Sequence, residues 1–73
     1  MKINFEAPDF KTGSVELRHE NGEIQIYCSK KGLSQLLALC KGLAEKGQTD
    51  HLHLEDHTLL TKDSLPGVIA LLD

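Results

Sequence analysis

Apolar residues recur at helical spacing in one long stretch of the chain, residues 30–46. Within it, apolar positions three and four apart fall along one side of an α-helix. These positions are Leu33, Leu36, Leu37, Cys40, Leu43 and Ala44. Ser29 can cap the first turn, because its hydroxyl can accept a hydrogen bond from an otherwise unpaired backbone N–H. Gly47 stands where a left-handed residue commonly ends a helix.

Elsewhere apolar and polar residues alternate, as they do in strands with one buried face. This pattern predicts strands over residues 2–7, 14–20, 23–29 and 51–55. Residues 68–72 form a short apolar run that also fits helical spacing. The β-branched Val68 and Ile69 favour a strand there.

Asn21 and Gly22 separate the second and third predicted strands. Asn-Gly between alternating strands favours a hairpin with a type I′ turn, which needs positive φ at both central residues. A two-residue loop fixes the register, so Leu17 is expected opposite Ile26. In this register the apolar pairs share one face and the polar pairs share the other. We expect the helix to cover the apolar face.

Together these elements predict an α+β fold with two layers, in the order β-β-β-α-β-β. One helix lies on a mixed sheet of four to five strands. The passage from strand 23–29 through the helix into strand 51–55 favours a right-handed parallel crossover. Leu52 and Leu54 are expected to face the helix. With 73 residues, the chain is expected to form a single domain, residues 1–73.

Composition argues against several functions. The formal net charge is -3, and the chain has one Tyr, two Phe and no Trp. Nucleic-acid binders use positive charge and aromatic stacking, so no nucleic-acid partner is expected. No apolar run approaches the length of a membrane span, and the first residues lack the apolar core of a signal peptide. We therefore expect a cytoplasmic protein with no membrane partner, whose two cysteines are reduced thiols.

A single helix can cover only one face of the sheet, so the other face is expected to be open. That face carries more carboxylates than cations, which suits a basic protein partner through charge complementarity. Tyr27 lies near its middle and is a natural anchor. The alternative is an ordinary solvated face. The candidate partner-binding residues are Glu16, Arg18, Gln25, Tyr27, His51, His53 and Glu55.

His51, His53 and Glu55 also permit a second interpretation. Side chains two apart on a strand point the same way, and imidazoles and carboxylates are common metal ligands. A small metal-binding module is therefore one alternative, weighed against a polar strand that happens to carry histidines. A homo-oligomer that pairs an exposed sheet edge is another. We predict no catalytic residue and no cofactor, and we do not expect an enzyme.

Three short motifs resemble those of a family of small bacterial proteins. They lie at the start of the helix, in strand 51–55 and before the final apolar run. The motifs are Lys31-Gly32-Leu33, His51-Leu52-His53-Leu54-Glu55 and Ser64-Leu65-Pro66. From residue 24 to residue 72 the chain resembles immunity-protein family thirty-two of bacterial polymorphic toxin systems. The resemblance implies a non-enzymatic cytoplasmic protein that binds and neutralises a toxin domain. It identifies neither the toxin nor the binding residues.

Overall fold

The computed structural model describes residues 8–72. In chain order its elements are β1 (Val15–Glu20), β2 (Glu23–Cys28), α1 (Lys30–Glu45), β3 (Asp50–His53), a 3-10 helix (Leu54–His57) and β4 (Val68–Leu71). The α+β class is confirmed, and the final apolar run is a strand. The strand predicted for residues 2–7 lies outside the described residues.

The β1-β2 hairpin follows its predicted geometry. Asn21 and Gly22 have φ values of 54° and 76°, as a type I′ turn requires. The two strands pair antiparallel, with Leu17 opposite Ile26. The register is therefore the one that the alternating pattern predicted.

The single mixed sheet, in contrast, was a wrong prediction. In the described part of the chain the strands form two antiparallel sheets of two strands each, β1-β2 and β3-β4. Leu52 of β3 lies opposite Ile69 of β4, so α1 does not connect parallel neighbours. β3 also ends at His53, because the chain turns into the 3-10 helix instead of continuing to Glu55.

Residues 59–65, which we call the return segment, explain why the sheet divides. This segment runs along the edge of β1 that faces away from β2. The Thr61 N–H donates to the Val15 carbonyl at 2.9 Å, and the Leu65 N–H donates to the Leu17 carbonyl at 3.0 Å. The outer edge of β1 is thus already paired by an irregular segment, which leaves β3 to pair with β4 instead.

The core lies where the two sheets, the return segment and α1 meet. Its buried members come from three different elements: Val15 and Leu17 from β1, Leu54 from the 3-10 helix and Leu59 from the return segment. Partly buried apolar residues pack against them, namely Cys28, Leu36, Leu39, Leu52, Leu60 and Ile69. Leu54 thus enters the core, and Leu52 packs against it.

Helix α1 begins as predicted and ends one residue before the predicted stretch 30–46 does. The Ser29 hydroxyl accepts a hydrogen bond from the Gly32 N–H at 3.0 Å. The last helical residue is Glu45, and Gly47 follows with φ of 67°. Leu36 is partly buried against the core and Leu43 is buried, as the helical spacing indicated.

The helix does not cover the whole apolar face of the hairpin, which corrects a second expectation. Ile24 and Ile26 on β2 remain 66% and 58% exposed. On the helix, Leu33 and Leu37 are 49% and 60% exposed, and Ala44 is also exposed. Within residues 8–72, each sheet is two strands wide. The surface beneath α1 is therefore too narrow to bury the full apolar stripe.

Gly32 supplies a test of the contact between α1 and Ser14, the residue that precedes β1. A β-carbon at this position would fall on the carbonyl of Ser14, which already accepts the Ser29 N–H. We expect Gly32→Ala to lower the free energy of unfolding by about 1–3 kcal/mol, the usual cost of overpacking. This loss would occur although alanine is the better helix former.

Gly42 is the matched control on the same helix, because nothing among the described residues lies within 4 Å of a β-carbon there. Gly42→Ala should raise the free energy of unfolding by about 1 kcal/mol through helix propensity. Chemical denaturation of both variants measures the difference. Equal changes in the free energy of unfolding for the two variants would contradict the close approach of Gly32 to the Ser14 carbonyl.

Candidate protein-binding surface

Predicted partner-binding residues lie side by side on the polar face of the hairpin. Glu16 and Arg18 are on β1, and Gln25 and Tyr27 are on β2. The register sets Glu16 opposite Tyr27 and Arg18 opposite Gln25. Side chains alternate between the faces of a strand, so all of these point to the same side. We call these residues the polar cluster.

Arg18 holds the polar cluster together. Its Nε donates to Glu16 Oε2 at 2.5 Å, and its guanidinium carbon lies 4.7 Å from the centroid of the Tyr27 ring. The Tyr27 hydroxyl donates to Gln25 Oε1 at 3.3 Å. A cation over a tyrosine ring contributes about 0.5–1 kcal/mol at an exposed site. The guanidinium and the ring are thus held in a fixed relative position within the chain itself.

Glu16 is the buried member of the polar cluster, with only 4% exposure. Its Oε1 accepts a hydrogen bond from the Thr61 hydroxyl at 2.5 Å. This bond, together with Arg18, holds the pKa of Glu16 below its usual value, against the opposing effect of burial. Glu16 is therefore ionised at neutral pH and orients Arg18. The return segment covers it, which the sequence did not predict.

His51, His53 and Glu55 form a separate group on the β3-β4 side. The rings of His51 and His53 lie 5.2 Å apart, edge to face, and His53 Nδ1 lies 3.5 Å from Glu55 Oε2. Glu55 Oε1 also accepts the Gly67 N–H at 3.3 Å. Hydrogen bonds from its own backbone and from Gly67 lower the pKa of Glu55. Because β3 and the hairpin belong to different sheets, these residues do not continue the polar cluster.

His51, His53 and Glu55 are not arranged as a metal site would require. In residues 8–72 no group of three or more His, Cys, Asp or Glu side chains could hold a metal ion. The 3-10 helix turns Glu55 towards Gly67, so the strand alignment that a shared metal requires is lost after His53. Cys28 and Cys40 are free thiols, as predicted.

The other face of the hairpin carries an apolar groove that sequence reasoning missed. The groove has a volume of about 320 Å³ and lies between the hairpin, α1 and the start of β4. Its walls include Ile24, Ile26, Leu36, Leu65 and Val68. Exposed fractions of Leu65 and Val68 reach 45% and 53%, beside the still more exposed isoleucines. Contiguous exposed apolar surface of this kind commonly marks an interaction site.

The alternation of apolar and polar residues along β1 and β2 predicted this apolar face. It did not predict that the face would stay uncovered. Whether it is covered depends on the width of the sheet, and therefore on which segment pairs with the outer edge of β1. No local pattern in the sequence encodes that choice.

Fold and surface together define a small α+β domain with a polar cluster on one face of a hairpin and an apolar groove on the other. No helix in residues 8–72 has the length and apolar character needed to cross a membrane. Residues 23–72 match the family described as Immunity protein 32. The chain belongs to this family, which confirms the resemblance seen in the sequence. No curated protein and no solved structure matches the chain significantly.

Thr61→Val tests the link between the return segment and the polar cluster. The variant removes the hydroxyl that donates to Glu16, so we expect it to lower the free energy of unfolding at pH 7. Hydrogen bonds to charged groups contribute about 1.5–3 kcal/mol. Thr49→Val, at an exposed loop position, is the control and should change stability little.

The destabilisation by Thr61→Val should also depend on pH. A carboxylate whose pKa is lower in the folded chain contributes stability above its unfolded pKa, and this is lost as pH falls through the folded pKa. The Thr61 hydroxyl is the main cause of the lowered Glu16 pKa. The difference between wild type and Thr61→Val should therefore be full near neutral pH and shrink below the usual pKa of 4.5. Urea denaturation across this range measures it, and a difference that grows on acidification would contradict the assignment.

Proposed function

We propose that this chain is an immunity protein that binds a bacterial toxin domain in the cytoplasm and neutralises it without catalysis. The observation that carries the proposal is membership of the Immunity protein 32 family over residues 23–72. An immunity role implies a protein partner. The net charge of -3 favours a basic toxin domain, because complementary charge accelerates encounter and selects among partners.

The proposed contact surface is centred on the hairpin, where Arg18, Gln25 and Tyr27 meet the toxin. Tyrosine and arginine are the residue types most often found at the energetic centre of protein interfaces. Arg18 and Tyr27 are already held against each other, so less side-chain entropy is lost when they dock. Glu16 acts from beneath as a positioning residue for Arg18.

In this proposal His51, His53 and Glu55 make a second contact at the β3-β4 side. Within this group, Glu55 also tethers the loop before β4. His51 and His53 are both exposed and can reach a partner. A toxin domain that reaches both sheets would bury both groups.

Tyr27→Ala is the most direct test of this surface. Removing the ring takes away the platform for Arg18, and we expect affinity for the toxin domain encoded by a neighbouring gene to fall tenfold or more. His53→Ala should give a smaller loss. Lys41→Ala is the control, since the Lys41 side chain is 80% exposed on α1 and belongs to neither group.

Isothermal titration measures these affinities, and rescue of toxin-inhibited growth provides an independent readout. Unchanged affinity in both Tyr27→Ala and His53→Ala would remove this surface from the proposal. Failure of the wild-type chain to bind or rescue would overturn the immunity function itself.

A further inference from the structure

The outer edge of β2 is open in the described part of the chain. β2 pairs only with β1 there. In an antiparallel pair, opposed residues alternate between those bonded to each other and those whose backbone groups point away. Leu17 directs its backbone groups away from β2, since they bond to the return segment. Its partner Ile26, and likewise Ile24, therefore direct their N–H and C=O groups to the outer side of β2.

Two apolar side chains on this strand are largely exposed. Ile24 and Ile26 are 66% and 58% exposed, and both line the apolar groove. An extended chain placed beside β2 would gain backbone hydrogen bonds from the edge. Every second side chain would enter the groove over the two isoleucines. The intervening side chains would lie on the other face, beside Gln25 and Tyr27 of the polar cluster.

The hairpin turn gives this edge a charge preference. Glu20 and Glu23 lie directly opposite each other across the hairpin, and both are exposed. Like charges in a cross-strand pair repel and destabilise the pair. A lysine or arginine arriving at this end of β2 would relieve the repulsion. The same acidic end, and the net charge of -3, oppose pairing with a second copy of this chain.

We propose that an extended segment of the toxin domain adds to the outer edge of β2 as a further strand. The segment has apolar residues at alternate positions, which enter the apolar groove, and a basic residue near Glu20 and Glu23. Strand addition of this type draws affinity from main-chain hydrogen bonds and specificity from the alternating side chains. The inference rests on the proposed function and adds the way in which the toxin is held.

Amide hydrogen exchange in the complex with the toxin domain encoded by a neighbouring gene is the direct test. Binding at the edge should slow exchange at Ile24 and Ile26 tenfold or more relative to the free chain. The Gln25 N–H is the internal control, because it faces β1 and should be protected before and after binding. Toxin binding without slower exchange at Ile24 and Ile26 would overturn the strand addition and leave the immunity function standing.

The toxin affinity of groove variants provides a second test that does not depend on hydrogen exchange. Ile24→Lys and Ile26→Lys place charge in the groove and should each weaken toxin affinity tenfold or more. Leu72→Lys is the matched control, because Leu72 is 82% exposed and lies outside the groove. Circular dichroism of each variant separates lost binding from lost folding. Equal losses in all three folded variants would contradict a role for the edge.

Two further results would overturn the proposal, because each would show that something other than the toxin occupies the outer edge of β2. If Ile24 and Ile26 exchange slowly in the free chain and quickly after deletion of residues 1–7, the chain's own first segment occupies the edge. If their exchange slows as protein concentration rises, a second copy occupies it. A wild-type chain that does not bind the toxin domain would overturn both the function and the edge.

Discussion

The fold depends on backbone hydrogen bonds between the return segment and the outer edge of β1. A strand edge presents donors and acceptors that must be paired when they are buried. Thr61 and Leu65 supply backbone donors to β1, and the Ser64 hydroxyl accepts the Leu17 N–H at 2.8 Å. These bonds join segments far apart in the sequence, and they bring Leu59 into the core beside Val15 and Leu17.

The same bonds determine the surface. The return segment occupies the place where β3 would have extended the hairpin, so residues 8–72 form two narrow sheets. Thr61 at this edge then donates a hydrogen bond to the buried Glu16 and lowers the pKa of that carboxyl. On the opposite face, the narrow hairpin leaves Ile24 and Ile26 exposed beside α1. The polar cluster and the apolar groove thus share one structural origin.

In the proposed complex, β2 is the strand of the hairpin that meets the partner. Within residues 8–72, one side of the hairpin is tied to the rest of the chain through β1, and the outer edge of β2 has no strand beside it. A rigid hairpin held on one side loses little freedom when its other side is docked. In the proposed complex, structural pairing and partner binding use different edges of the same hairpin.

Sequence reasoning succeeded where the determinants are local. Asn21-Gly22 fixed the turn and the register, and Ser29 identified the start of α1. Sequence reasoning failed where pairing between distant segments decides which side chains are buried. The burial of Glu16 depends on Thr61, which lies 45 residues away. The exposure of Leu33 and Leu37 depends on the width of the sheet beneath them.

The family resemblance came from short motifs rather than from the fold, and it placed the chain correctly. The candidate surface could be predicted only in part. The hairpin residues of the polar cluster lie together because a strand pair orders them locally. His51, His53 and Glu55 lie apart from them because the predicted sheet does not form.

Hydrogen exchange of the Thr61 and Leu65 amides in the free chain tests the central claim most directly. If the return segment secures the fold, these amides should be protected as strongly as the amide of Gln25 in the hairpin. The free energies of opening derived from their exchange rates should then be similar. Exchange of Thr61 and Leu65 at the rate of exposed loops, with Gln25 still protected, would contradict the account.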